Sequence, residues 1–301
     1  MTAAKSSQKV LAMGFFDGVH LGHAALLRQT AARAEERGLM PAVMTFDTHP
    51  DSLVQGRPVP LICSAPTRAE LIREGFGIDE VIFLQFSDET MRIPWRDFVD
   101  SLRAELGTRH FVVGYDFRFG WHGEGTAQKL ADYCADAGLG CDIVPQVTLD
   151  GIPVSSTHIR TLLETGDIET ANRFLGHPYL LVDVVRHGYH LGSRLGAPTI
   201  NMRFPEGVLP LCHGVYATKA RLPDGGEHVA VTNVGVRPTV SGNSACTVES
   251  FILDYDGNLY GKPVHLSFFA YLRPEYRFDD VEALKAAIVG DAGHVKTFFE
   301  K

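Results

Sequence analysis

The feature that most constrains this chain is a change of rhythm along it. Up to about residue 146, short apolar runs alternate with helical patterns: VLAMGF (10–15), HAALLRQTAARAEERG (23–38), PAVMTF (41–46), TRAELIREG (67–75), EVIFLQF (80–86), WRDFVDSLRAELG (95–107), HFVVG (110–114), TAQKLADYCADAG (126–138) and CDIVPQ (141–146). That is the βαβ alternation of a doubly wound α/β sheet. The strand runs lack polar alternation, as expected of strands covered on both faces by crossover helices. In the first helix Leu27, Ala31 and Ala34 recur at helical spacing, and Gly38 is placed to stop it. A ligand should then sit at the carboxyl ends of the strands. After VSSTHIRTLLETGDIETANRFLG (154–176), read as two short helices, the pattern changes. From Tyr179 onward YLLVDVVRH, GVYATKAR, EHVAVTNVG, CTVESFIL and PVHLSFFAYL are separated by Gly, Pro and Asp, the pattern of an antiparallel sandwich or barrel. An amphipathic helix, VEALKAAIVG, follows. The expected domains are 1–178 and 179–301.

Composition narrows the function classes. The 301 residues are 45% apolar and 21% charged, a globular balance, and 36 acidic against 28 basic residues give a formal charge of -8. A nucleic-acid-coating surface or a polybasic membrane anchor does not fit that balance, whereas small-molecule substrates do. No apolar run approaches the ~18–20 residues of a membrane span, and the first residues lack the apolar core of an export signal, so the cytoplasm is the expected compartment. Five scattered cysteines without a C-x-x-C suggest neither a disulfide framework nor a zinc knuckle.

Two segments carry chemistry. In GFFDGVHLGH (14–23) a strand end leads through a Gly-bearing turn to two histidines at the opening of a helix. His20 and His23 would share the first turn, where backbone amides favour anions, and Gly22 would allow close approach of a nucleotide. A histidine that merely caps the helix, or a zinc ligand, are the other readings, although no third ligand stands at metal spacing. In the second half, HGYHLGSRLGAPTIN (187–201) and VESFILDYDGNLYG (248–261) combine glycines, a P-T-x-N group and Glu249 in an apolar run. No Walker A sequence occurs, so phosphates would need another cradle.

GFFDGVHLGH followed by VSSTHIR resembles the nucleotidyltransferases that carry H-x-G-H and S-S-T-x-I-R motifs. More narrowly the chain resembles the bifunctional riboflavin kinase/FMN adenylyltransferase family, the bacterial FAD synthetases. TFDTHP (45–50) and VVGYDFRFG (112–120) match that family's flavin-binding stretches in order and spacing. The resemblance implies an N-terminal nucleotidyltransferase-like domain and a barrel-like riboflavin kinase domain with a terminal helix. It implies that His20 and His23 contact the ATP phosphates, and that Gly14, Phe15 and Gly22 border the ATP. Ser155, Ser156, Thr157 and Arg160 would hold the triphosphate. Asp47, His49, Asp116, Phe117 and Phe119 would line the flavin site. In the kinase half, Gly192 and Gly196 would cover ATP, Thr199 and Asn201 would bind Mg2+, and Glu249 would act as base. The implied reactions convert riboflavin and ATP to FMN, then FMN and ATP to FAD and pyrophosphate.

The chain departs from the family's pattern at several places. Phe15 stands for a usual Asn, Ala24 for Gln and His158 for Arg, while Tyr115 replaces an acidic or small polar residue. Ser193, Ala197 and Ile200 alter the kinase loop, and Phe251 replaces a His. Rival readings are a divergent member with adenylyl transfer alone, and a non-catalytic flavin-binding regulator.

Overall fold

A computed structural model describes residues 8–188, 197–237, 245–276 and 278–300. Two compact units share the chain. The first comprises residues up to Leu61 together with Arg68–Ser155, and the second Ile62–Thr67 together with the residues from Ser156 onward. The two short helices expected to end the first domain therefore group with the second unit.

In the first unit five parallel strands, β1 (Lys9–Met13), β2 (Met40–Phe46), β3 (Glu80–Leu84), β4 (Thr108–Gly114) and β5 (Gly140–Val144), lie in the order β3-β2-β1-β4-β5. Helices α1 (Leu21–Arg37), α2 (Pro50–Gln55), α3 (Ala65–Phe76), α4 (Trp95–Glu105) and α5 (Ala127–Asp136) connect them. Alternate residues of one strand feed different cores. Leu11, Met13, Met44, Phe111 and Val113 pack with Phe98, Leu102 and Leu130 from α4 and α5. Val10, Ala12, Val43 and Val112 pack with Leu27, Ala34 and Ile72 from α1 and α3. Both faces of the sheet are covered, which explains the absence of polar alternation in the sequence. The order reverses between β1 and β4, and at such a switch point the strand ends open a crevice for ligands.

The second unit opens with α6 (Ser156–Thr165) and α7 (Ile168–Leu175). Among the described residues its strands are β6 (Tyr179–Val184), β7 (Thr199–Met202), β8 (Gly214–Arg221), β9 (Glu227–Arg237), β10 (Ala245–Ile252) and β11 (Pro263–Arg273). They form one antiparallel sheet in the order β6-β11-β8-β9-β10-β7. The edges approach each other: just beyond β6 the Arg186 amide donates to the Asn201 carbonyl of β7 at 2.8 Å, so the sheet curls into a barrel. Buried Tyr179, Tyr216, Val234, Val248 and Phe268 fill its inner face. Buried hydroxyls join there too, Thr218 to Thr232 and Thr232 to Ser250, each at 2.7 Å. Asn172 of α7 accepts from the Tyr179 amide at 2.7 Å and donates to the Phe268 carbonyl at 2.8 Å. Those two bonds attach α7 to the barrel and account for its place in this unit.

The final helix, α8 (Val281–Phe299), runs nine residues past the VEALKAAIVG pattern, through Gly290 and Gly293. Tertiary contacts override the two weak helix formers. Buried Asp291 accepts from Arg273 of β11 through Nε at 3.0 Å and Nη2 at 2.6 Å, and Val295 joins Val215, Ala217 and Val231 in the core on the outer face of the sheet. All five cysteines are free thiols.

Candidate active sites

At the end of β1 the chain makes a constrained turn. Phe16 and Val19 sit at φ 56° and 45°, flanking Gly18 at 74°, and a β-branched residue at positive φ stores strain of a kind that clusters at functional sites. The turn delivers His20 to the N-cap of α1, where its Nδ1 accepts from the His23 amide at 3.2 Å. With Nδ1 accepting, the neutral ring carries its proton on Nε2. The His20 and His23 rings stack at 3.5 Å, 12° from parallel. A Cβ at residue 22 would stand 3.1 Å from the His20 ring, so Gly22 leaves room for that imidazole to fold back. Burial, then the neighbouring His20, then Arg68 push the His23 pKa well below the usual histidine value. Two stacked cations are thereby avoided. Capping and clustering coexist here: His20 caps the helix and also presents its ring beside His23. Among the described residues no group of three His, Cys, Asp or Glu side chains forms a metal centre.

The flavin candidates divide. Phe117 and Phe119 stack at 5.3 Å and line a cavity of about 590 Å³ together with Phe46, Phe86, Phe98 and Trp121. Asp47, His49 and Asp116 are not among the residues lining it. Asp47 accepts from the Phe86 amide at 3.1 Å, and His49 caps α2 through the Asp51 amide at 3.1 Å. Asp116 follows β4 at the switch-point end of the sheet. Gly14 and Phe15 border the same turn as His20, with Phe15 edge-on to His49 at 4.6 Å. Ser155 ends the first unit, while Ser156, Thr157 and Arg160 occupy the first turns of α6 in the second.

In the barrel the candidates fall on neighbouring strands. Thr199 and Asn201 are two apart on β7 and share its face. Glu249 of β10 is register partner both to Asn201 and to Asn233 of β9. All four therefore share the outer face of the sheet, and all are partly buried. Asn233 Nδ2 donates to Glu275 at 2.8 Å, bringing a second carboxylate to the end of this row. A Cβ at Gly188 would collide with the Asn201 side chain, so that glycine leaves a cradle over the amide. Beside Thr199 lies a cavity of about 240 Å³ bordered by Pro198, Ile252, Asp256 and Asn258. Gly192 and Gly196 lie outside the described residues.

Two family models divide the chain as these sites do. The FAD synthetase model matches residues 2–158 and the riboflavin kinase model residues 175–299. A bifunctional riboflavin kinase/FMN adenylyltransferase of Listeria monocytogenes is 35% identical over 295 residues, covering 97% of this chain and 93% of that protein. Relatives of the same name from Pseudomonas fluorescens and Bacillus subtilis are 36% and 33% identical, over 94% and 98% of this chain and 90% and 94% of theirs.

The chain belongs to the bifunctional riboflavin kinase/FMN adenylyltransferase family.

A crystal structure described as a macrolide-efflux protein from Streptococcus pneumoniae superposes with a TM-score of 0.85 at 26% identity, covering 97% of this chain and 95% of that one. Efflux is said of that protein; in this chain no described helix is long and apolar enough to cross a membrane.

Within the family frame, the departures fall at identifiable contacts. Phe15 lies over a guanidinium, with Arg68 Cζ 4.2 Å from the ring centroid. His158 packs edge-on against Phe174 at 4.7 Å, Ala197 is buried, and Phe251 packs against the core beneath α8. Ala24 is buried in α1. Ser193 lies outside the described residues. The sequence reading missed three residues. Arg68 could have been found, because it stands four residues before buried Ile72 and so falls on the inward stripe of α3. Asn233 and Glu275 could not, since strand register alone relates Asn233 to Glu249 and a side-chain hydrogen bond to Asn233 brings in Glu275.

Proposed function

We propose that the chain makes FAD from riboflavin in two steps, phosphorylation by the half that matches riboflavin kinase and adenylyl transfer by the half that matches FAD synthetase. The observation that carries this reading is the placement of Thr199, Asn201 and Glu249 on one face of adjacent strands in the half that matches riboflavin kinase, alongside the His20–His23 pair in the half that matches FAD synthetase.

In the first step Glu249 accepts the proton of the riboflavin 5′-hydroxyl as its oxygen attacks the γ-phosphorus of ATP, and ADP departs. An unactivated alcohol needs such a base. ATP enters beside Thr199 and closes the row. Thr199 and Asn201 offer hard oxygens side by side, the donor type that magnesium prefers, and the cradle left by Gly188 leaves room beside the Asn201 amide. Mg2+ held by these two residues would supply neutralisation of phosphoryl charge.

In the second step the FMN phosphate is itself the nucleophile. Its oxygen bonds to the α-phosphorus of ATP, the bond to the β-phosphate bridge breaks, and pyrophosphate leaves. No base is needed, but negative charge accumulates. His20 Nε2–H and the opening amides of α1 are donors suited to it. The flavin ring occupies the aromatic cavity of Phe117 and Phe119, and we assign Ser155, Ser156, Thr157 and Arg160 to the triphosphate through their motif. Asp47, His49 and Asp116 act at the edge of the flavin site rather than inside the cavity. ATP supply and the five free thiols accord with a cytoplasmic setting.

The test is chromatographic. Protein is incubated with riboflavin, ATP and magnesium, and in parallel with FMN in place of riboflavin. FMN followed by FAD is expected. FAD formed only from FMN would mean adenylyl transfer alone, and no conversion would favour the binding-protein reading.

A further inference from the structure

Arg68 is a fully buried guanidinium, 0% exposed, that uses only one of its three nitrogens in hydrogen bonds among the described residues. Nη1 donates to Thr45 Oγ1 at 3.0 Å and to the Phe46 carbonyl at 2.9 Å. Thr45 is itself fixed, donating to the Phe15 carbonyl at 2.7 Å. Nε and Nη2 are out of reach of solvent and have no acceptor among the described residues. Among the described residues no carboxylate is paired with this charge. The groups around it deepen the problem. The Phe15 ring covers the guanidinium, His20 and His23 stand at the same strand ends, and His23 Nδ1 is likewise buried without a partner. Unsatisfied donors gather here: Nε and Nη2 of Arg68 and Nδ1 of His23. Buried polar groups in native proteins are nearly always satisfied, and a lone buried charge is costly. A cation–π contact with Phe15 compensates only part of it.

We propose that Arg68 is a phosphate-binding residue of the adenylyl-transfer site, its Nε and Nη2 donating to non-bridging phosphoryl oxygens of a substrate that displaces the Phe15 ring. The guanidinium presents a planar fork that matches such oxygens, and anchoring through Nη1 fixes its orientation before substrate arrives. Phe15 is only partly buried, so its ring has somewhere to go. The phosphoryl oxygens belong either to ATP or to FMN, and the chemistry of the fork is the same for both. This proposal rests on the reading of the first unit as an FMN adenylyltransferase.

The test compares wild type with Arg68→Met and Arg68→Lys in the full-length protein. FMN adenylylation should lose about ten- to hundredfold in kcat/KM for Arg68→Met, the loss expected when charge-assisted hydrogen bonds are removed. Riboflavin phosphorylation in the same preparation should stay at the wild-type rate. A raised KM for ATP alone assigns the oxygens to ATP, and a raised KM for FMN alone assigns them to FMN. Inorganic pyrophosphate should raise the melting temperature of wild type and raise that of Arg68→Met much less. Should the Met variant not fold, Arg68→Lys keeps the charge but loses the fork, and it should still show the raised KM with phosphorylation intact. Wild-type adenylylation constants and an undiminished pyrophosphate shift in a folded variant would overturn the proposal. A wild-type protein that makes no FAD from FMN would instead overturn the adenylyltransferase reading itself.

Discussion

In the first unit the candidate site is a strained turn and the start of a helix, furnished with two stacked histidines and a buried arginine. In the second it is a row across three strands, furnished with a hydroxyl, two amides and a carboxylate. Both are read as handling ATP, yet their charges are opposite, and the nucleophile explains why. A phosphate already carries the charge it attacks with, so its site gathers donors. A hydroxyl must lose a proton, so its site needs a base and a cation held by neutral oxygens. The supporting elements differ accordingly: helix-end amides point at anions without any side chain, whereas adjacent strands hold side chains in fixed register.

The comparison breaks most sharply at Glu249. Glu249→Gln should lower riboflavin phosphorylation by about 10²- to 10⁴-fold, the range for removing a general base, while FMN adenylylation stays unchanged when both rates are followed in one preparation. Next comes the opposite site. His20→Ala should cost FMN adenylylation about 10²- to 10³-fold, as for loss of a donor to developing charge, with phosphorylation intact in a parallel assay. A smaller effect is expected from geometry alone. In Gly188→Ala the new methyl group collides with Asn201, and if Asn201 holds magnesium as proposed its displacement should slow phosphorylation by about 10- to 100-fold, most visibly at limiting magnesium.

Stability should separate the units as well. Gly140→Ala drives a methyl group into the His110 ring and should cost about 1–3 kcal/mol in denaturant titration, confined to the first unit. Acid should do the same more gently. His23 and His110, both in the first unit, have pKa values lowered chiefly by burial, with Asp142 opposing the shift at His110. Their unfolded forms titrate near 6.5. As pH falls below that value the unfolded chain takes up protons that the folded unit refuses, so stability present above about pH 6.5 is lost on acidification. The denaturation midpoint of the first unit should therefore drop between pH 7.5 and 5.5, and the drop should shrink in His110→Gln.

How much of this was legible in the sequence differs between the units too. The parallel sheet showed through because two-sided burial leaves continuous apolar runs, and GFFDGVHLGH announced its site because its chemistry is local in the chain. Glu249 and Asn201 lie 48 residues apart, and only the resemblance joined them before the strand register did. The length of α8 was hidden because Gly290 and Gly293 signal an end that the Arg273–Asp291 pair overrides. The inward stripe of α3 carries Arg68 as well as Ile72, so its burial was legible, but its anchoring by Thr45 and Phe46 is a tertiary fact that no local pattern contains.

The measurement that bears most directly on the central claim, two phosphoryl-transfer sites of opposite charge working independently, is the flavin product pattern of Glu249→Gln and His20→Ala given riboflavin or FMN with ATP and magnesium. Glu249→Gln should leave riboflavin untouched yet convert FMN to FAD, and His20→Ala should turn riboflavin into FMN that accumulates. Loss of both conversions in either folded variant, or of neither, would contradict the account.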